Sequence, residues 1–433
     1  MPDGAAVGLR VCWVTDDWDA SYRYRCRHGV QQLRAAGVPA NVYHLHDPAL
    51  RAALPAYSVV VLFRLRWSDA VAAVVDAARA AGARLVFEID DLIFDPSVEP
   101  LLHFLVDLPP AARREYHERF GRLRRTFDAC DAFLGTTPAL ARLAAALGKP
   151  AHVHPNLLPP EYEATARRLL RLRPRHRTAI TYGAGSNTHD RDLEAIGPAL
   201  AEVLARRPER RLHLGGFVEL PPALRPVAAQ VVRIPYQDWR VYPWTLARCA
   251  LAVAPVAVRN AFTDGKSALK FFEAGILGLP IVASPVEAFR DAITPAVDGF
   301  LAEGHDAWVD ALERGLDPVE GDAVGRRARA TVLHHHTFAA HAGRLAALLA
   351  PRAGRATGPE PPPLSLEPEE RARAGRRRRT RRSGHGGRGA SCAPGAGRAA
   401  GAAGRGRRRA GRVRGGRGGA RDARRARPAV LRD

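Results

Sequence analysis

Lysine is nearly missing from this 433-residue chain: three lysines stand beside 63 arginines. Cysteine is scarce as well. Cys12, Cys26, Cys130, Cys249 and Cys392 form no CxxC pair and no short spacing, which argues against a disulfide framework or a zinc site and for a reducing compartment. No apolar run is long and unbroken enough to span a bilayer, the longest lying around 249–258 and 274–286. The first ten residues lack a basic stretch ahead of an apolar core, so no signal peptide is expected and the cytoplasm is the default. No GxxxxGK[ST] motif occurs, which excludes a P-loop. No GxGxxG follows the first strand, which argues against a dinucleotide oxidoreductase.

The charge is unevenly spread. Residues 351–433 hold 24 arginines against six acids, so of the formal +22 only +4 belongs to residues 1–350. The body is therefore an ordinary globular composition, and nucleic acid is not its expected partner. The tail is rich in Arg, Gly, Ala and Pro and poor in aromatic and β-branched residues. It cannot bury a core and is expected to be disordered. A phosphate-binding arm, an inert tail and an out-of-frame product of GC-rich DNA all fit that composition. No aromatic residues interleave with the arginines to stack on bases.

Strand-like and helix-like segments alternate through the body. Strands are expected at 8–14, 38–44, 58–62, 84–89 and 132–134, with helices at about 22–36, 69–81, 111–129 and 138–147. The pattern breaks between 151 and 177 and resumes with strands at 178–182, 211–214, 231–234, 251–254 and 281–283 and helices at 193–205, 242–248 and 266–277. This is an α/β protein of two doubly wound halves: 1–156, a hinge or linker at 157–177, 178–350, and the tail 351–433. A terminal helical segment, 323–350, is expected to pack back across the domains. Ligands of such folds bind at the carboxyl ends of the strands.

Two of the three lysines, Lys266 and Lys270, stand one helical turn apart, with Glu273 three residues on. On a helix starting at Lys266 all three share one face. Asp264 and Gly265 are the expected N-cap, and the free N–H groups with the dipole make an anion site. The lysines suit a diphosphate, and Glu273 suits vicinal hydroxyls such as those of a ribose. The loop Gly183–Asp192, with Gly185, Ser186 and His189, offers amides and an imidazole to the same phosphates. Asp90 and Asp91 follow a strand. They read as a metal-binding pair, as an acceptor-side polar group or base, or as an N-cap pair. Arg23 and Arg25 read as acceptor-phosphate contacts or as solvated surface. His334-His335-His336 cannot converge on one ion, since neighbours on a helix point 100° apart.

The stretch 234–308 resembles the donor half of GT-B glycosyltransferases of the family 4 or group 1 type. The likeness rests on Tyr242-Pro243, Leu251-Ala-Val-Ala-Pro255, Lys266-Ser-Ala-Leu-Lys-Phe-Phe-Glu273, Gly278-Leu-Pro-Ile-Val-Ala-Ser284, Ile293, Asp298-Gly-Phe-Leu301 and Trp308. Tyr22-Arg23-Tyr24-Arg25, Phe87-Glu-Ile-Asp-Asp91, Thr136-Thr137 and Pro155-Asn156 resemble the acceptor half of one bacterial branch. The resemblance implies two Rossmann-like domains facing a cleft and transfer, with retention, of a sugar from a nucleotide-diphosphate donor. It implies that Glu273 binds the ribose while Lys266, Lys270 and the amides of Ser267 and Ala268 hold the diphosphate. With lysines and a helix dipole on the phosphates, no cofactor and no divalent metal are expected. The paired glutamate usual in the family is replaced by Gly265, with Asp264 one step off. Rival readings are a nucleotide-sugar epimerase or hydrolase, a degenerate nucleotide-binding protein, and nucleic-acid binding through the tail. The acceptor, whether glycan, lipid or small molecule, is not written in the sequence. The basic segment 111–125 reads as a solvated helix or as a peripheral contact with the inner face of a membrane.

Overall fold

The computed structural model describes residues 8–106, 108–172, 177–185, 190–350 and 360–367. Valine-rich runs such as Val-Cys-Trp-Val-Thr and Val-Val-Val-Leu-Phe have both faces apolar, as strands covered on both sides require. They form β1 (Val11–Thr15) and β3 (Val59–Phe63). With β2 (Ala40–His44), β4 (Arg84–Ile89), β5 (Ala132–Gly135) and β6 (Ala151–Val153) they make a parallel sheet in the order β2-β1-β3-β4-β5-β6. Alternate residues serve opposite layers: Cys12 and Val14 pack on one face, Val11 and Trp13 on the other.

The second half repeats the plan. β7 (Ala179–Ala184), β8 (Arg211–Gly216), β9 (Val231–Ile234), β10 (Cys249–Ala254), β11 (Ile281–Ala283) and β12 (Phe300–Leu301) form a parallel sheet ordered β12-β11-β10-β7-β8-β9. Sequence reading finds ten of these strands. It misses β6, three residues long, and β12, two residues long, both too short to show an apolar period.

Several expected boundaries move. The segment read as a hinge contains the helix Pro160–Leu172, whose Tyr162, Ala166 and Leu169 pack into the second half's core. The terminal helical segment does cross. After the helix Glu320–His335, a bridge joins Thr337 to Leu158, and Leu345 and Leu349 of the helix Arg344–Leu349 join the first half's core. Most of the tail, 351–359 and 368–433, lies outside the described residues. Residues 360–366, placed with that tail by composition, dock on the first half instead. Leu364 and Leu366 pack against its core, Leu364 N–H donates to Asn41 Oδ1 at 2.8 Å, and Tyr22 Oη donates to the Leu366 carbonyl at 2.7 Å. Two leucines and a few backbone groups suffice for this, a signal that composition averages away. Among the described residues no helix is long and apolar enough to cross a membrane.

Three histidines are enclosed where the crossing segment meets the halves. Burial first, then Arg23, Arg27 and Arg25, holds His28 well below 6.5. Burial, then Arg25, does the same to His154. His336, stacked on Phe272 at 4.0 Å, is lowered to about 4, again mainly by burial. In the unfolded chain these rings take up protons near 6.5, so below that pH the unfolded state binds more protons and the fold loses stability. The thermal midpoint is expected to hold from pH 8 to 7 and to fall from pH 6.5 downward, His28 and His154 each contributing up to about 1.4 kcal/mol per pH unit. A midpoint that stays level to pH 5 contradicts this.

Candidate functional site

The residues of interest collect where the carboxyl ends of the two sheets meet, starting with the loop between β10 and β11. Asn260 caps the short helix Ala261–Asp264 reciprocally with Thr263: the Thr263 N–H donates to Asn260 Oδ1 at 3.1 Å and Asn260 N–H to Thr263 Oγ1 at 2.9 Å. Asp264 therefore ends a helix rather than capping one. Its carboxylate accepts from the Glu287 N–H at 2.9 Å and staples the next helix, Glu287–Ala292. The lysine-bearing helix begins later than the spacing suggests, at Leu269, and runs to Gly275. Lys266, Ser267 and Ala268 belong to the connecting loop. Lys270 and Glu273 share the helix, and Lys266 reaches the site from outside it.

The first half closes on this loop. Thr137 Oγ1 donates to the Gly265 carbonyl at 3.2 Å, and Asn156 Nδ2 donates to Ser267 Oγ at 3.2 Å. A Cβ on Gly265 would stand 3.2 Å from the Phe262 carbonyl oxygen, 3.3 Å from Leu140 and 3.5 Å from Leu92. A side chain here would press on the Phe262 carbonyl and on Leu140 by a few tenths of an ångström, so glycine eases the approach of the two halves.

Lys266 Nζ pairs with Asp91 Oδ1 at 2.6 Å. Arg64, at φ +52° just past β3, spans both neighbouring carboxylates: Nε to Asp90 Oδ1 at 2.5 Å and Nη2 to Asp91 Oδ2 at 3.1 Å. Burial opposes the Arg64 charge, but Asp90 and Asp91 together hold its pKa above the usual value. The acidic pair thus binds a guanidinium of its own half and an ammonium from across the cleft, and the helix at Pro96 is capped by Asp95, not by this pair. Arg64 was missed in sequence reading. An arginine two residues from Arg66 in an arginine-rich chain carries no distinguishing signal.

Glu273 is buried and accepts a hydrogen bond from the Tyr24 phenol of the first half. Burial raises its pKa, against the pull of Tyr24, Arg23 and Lys270. Tyr24, Tyr162 and Tyr242 crowd the carboxylate, and all three phenols are raised first by burial and then by Glu273. Lys270, half-buried, lies 4.8 Å over the Tyr182 ring, and desolvation lowers its pKa despite Asp192 and Glu273.

Arg23 and Arg25 part company because Arg23–Arg27 winds as a π-helical turn. Arg23 stays in the cleft, 4.1 Å over the Tyr24 ring and 5.0 Å over Trp239 of the second half. Arg25 does not face an acceptor at all. It is 1% exposed and bound to Glu88, Nη2 to Oε1 at 2.6 Å and Nε to Oε1 at 2.8 Å. The signal for this was Glu88 itself, a lone acid inside the strand Leu-Val-Phe-Glu-Ile, which demands a buried cation. Gly185 is exposed at the end of β7, while Ser186 and His189 lie outside the described residues. In the basic helix Pro110–Asp128, Arg122 donates to the Trp67 carbonyl at 2.8 Å and Arg125 covers the Trp67 ring at 4.6 Å. Two of its cations are thus spent within the domain.

Residues 180–317, the span that carries β7 to β12 and the lysine loop, match the family model described as Glycosyl transferases group 1. That span is similar to group 1 glycosyltransferases, and the two sheets have the GT-B arrangement. Among similar solved structures, HepE of Anabaena in complex with UDP is 12% identical, covers 79% of this chain and 99% of its own, and superposes with a TM-score of 0.54. Sucrose-phosphate synthase from Thermosynechococcus elongatus is 15% identical over 78% and 98%, with a TM-score of 0.55. A glycosyltransferase from Rickettsia africae is 9% identical over 79% and 98%, with a TM-score of 0.53. At these identities the likeness is one of fold. No curated protein matches the chain in sequence. Within this fold, the lysine loop and Glu273 come from the second half and the Arg64 network from the first.

Proposed function

We propose that this glycosyltransferase takes its sugar from a nucleotide-diphosphate donor seated on the second half. The observation that carries the reading is the convergence of Lys270, Glu273 and the Lys266–Ala268 loop at one sheet edge, matched by the group 1 family. Lys270 and Lys266 take the diphosphate, with the Ser267 and Ala268 amides as further donors. Glu273 exchanges its Tyr24 partner for the ribose hydroxyls. Phe217 and Tyr236, exposed and stacked at 5.6 Å beyond β8 and β9, offer an aromatic surface for the base. The bound UDP of HepE supports a nucleotide in this fold.

The chemistry that follows is leaving-group stabilisation. As the glycosidic bond breaks, negative charge gathers on the departing diphosphate, and fixed ammonium groups in a poorly solvated cleft lower that barrier. Asp90 and Asp91, on the opposite wall, lie with Arg64 on the acceptor side, and Arg23 extends that side toward Glu273. We propose retention of configuration and an acceptor bound mainly by the first half.

A thermal-shift screen of the full chain against UDP-, GDP-, ADP- and dTDP-sugars tests the donor site. One nucleotide is expected to stabilise the wild type and to leave Glu273→Ala unmoved. No shift with any nucleotide would sink the reading. Sugar release without acceptor would move the assignment to an epimerase or hydrolase.

A further inference from the structure

A chain of buried polar groups links the core of the first half to the candidate donor loop, and each link has a fixed direction. Trp13 Nε1 donates to Glu88 Oε2 at 2.6 Å, and the Arg25 guanidinium donates to Glu88 Oε1. Arg25 Nη1 also donates to Asn156 Oδ1 at 3.0 Å. Arginine has donors only, so the oxygen of the Asn156 amide must face Arg25 and its nitrogen must face away. That nitrogen donates to Ser267 Oγ at 3.2 Å. A serine hydroxyl has one proton and two lone pairs, and with one lone pair taken by Asn156 the proton is not needed for that contact and is available to another partner. Arg25, Glu88 and Asn156 are all at least 95% buried, which shields the order of donors and acceptors from water.

We infer that Asn156 is a positioning residue that makes Ser267 a hydrogen-bond donor to the diphosphate of the sugar nucleotide. The inference rests on the donor reading above and adds a group that it does not contain. Glu88 supplies an acceptor that Arg25 must satisfy. Arg25 orients the Asn156 amide, and the amide occupies one lone pair of the Ser267 hydroxyl, which leaves its proton free to donate outward. An anion is the ligand such a hydroxyl favours. Asn156 sits between β6 and the helix Pro160–Leu172, where the chain passes from one half to the other, so the same contact ties donor-loop geometry to the meeting of the domains.

Titration calorimetry with UDP, GDP, ADP and dTDP on full-length protein tests this. Asn156→Asp keeps an acceptor for Arg25 but cannot donate to Ser267, and it faces the serine with an acceptor instead. Its affinity for the nucleotide that the wild type binds is expected to fall about 10–100-fold, the range for losing a hydrogen bond to a charged group, in a protein that still melts cooperatively above the assay temperature. Ser267→Ala should lose a similar factor. Asn156→Leu should cost about tenfold alone and nothing further in the Ser267→Ala background. Wild-type affinity in Asn156→Asp, or a loss from Asn156→Leu that persists without the serine hydroxyl, overturns the inference. Should Asn156→Leu fail to fold, Asn156→Asp decides. A wild type that binds none of the four nucleotides overturns the donor reading and takes this inference with it.

Discussion

Replacing Arg25 by methionine is expected to destabilise the protein by ~3–5 kcal/mol, the cost of breaking a buried ion pair by removing one partner. The guanidinium is 1% exposed and Glu88 equally so, and the pair closes at 2.6 Å. Methionine fills much of the volume but strands the Glu88 carboxylate in the core with the Trp13 N–H as its remaining donor. At 2–4 °C per kcal/mol, roughly 10 °C of the thermal midpoint should be lost. The double variant Arg25→Met/Glu88→Gln removes the stranded charge while leaving an oxygen for Trp13, so it should recover most of that loss. Scanning calorimetry of the two single variants and the double variant gives the coupling directly. If Arg25→Met melts with the wild type, the arginine is not the buried partner of Glu88 and regains its place as a candidate acceptor contact.

That arginine also shows what could and could not be read from the chain. The sheets were legible because a strand covered on both faces has to be apolar throughout, and few segments of this sequence are. The lysine–glutamate group was legible because lysine is so rare that keeping it implies a use. Arg25 was illegible from its own neighbourhood. Among 63 arginines nothing local separates a buried one from a solvated one, and its partner lies 63 residues away. Glu88 was the better clue, since a carboxylate inside an apolar strand states a need for charge that the fold must meet.

The errors in the lysine loop have one cause, the helix start. Periodicity alone runs the helix back to Lys266, because Ala268, Leu269, Phe271 and Phe272 keep the apolar face going. The reciprocal cap of Asn260 and Thr263 instead starts a separate turn at Ala261, which ends at Asp264. The Gly265 carbonyl then accepts from Thr137 of the first half. Lys266 leaves the helix face and meets Asp91 from another direction. Contacts between halves distant in sequence decide this, and a single-chain period carries no trace of them. Asn156 is similar: its importance lies in two partners, Arg25 and Ser267, 131 and 111 residues away.

The different settings of the two lysines predict different kinetic losses. Lys266 has Asp91 at 2.6 Å, so part of its charge is already spent and a bound diphosphate competes with a carboxylate for it. Lys270 lies over the Tyr182 ring, where desolvation outweighs Asp192 and Glu273 and lowers its pKa. An ammonium in that state gains most when an anion arrives, and more again as charge builds on the leaving diphosphate. Lys270→Met is therefore expected to cut kcat by about 10²–10³, the usual effect of removing one preorganised charge stabiliser. Lys266→Met should raise KM more than it lowers kcat. Lys270→Arg should not restore the rate, because a longer, planar guanidinium over the Tyr182 ring does not put its charge where the compact ammonium does. Initial rates with the sugar nucleotide selected by the thermal-shift screen separate these outcomes. The pH profile supplies the sign: with Lys270 lowered from 10.5, the alkaline limb of kcat/KM must begin below that value and vanish in Lys270→Arg. Equal, modest losses from both lysines would mean that they act as a diffuse positive patch, and the leaving-group mechanism would have to be assigned to other residues.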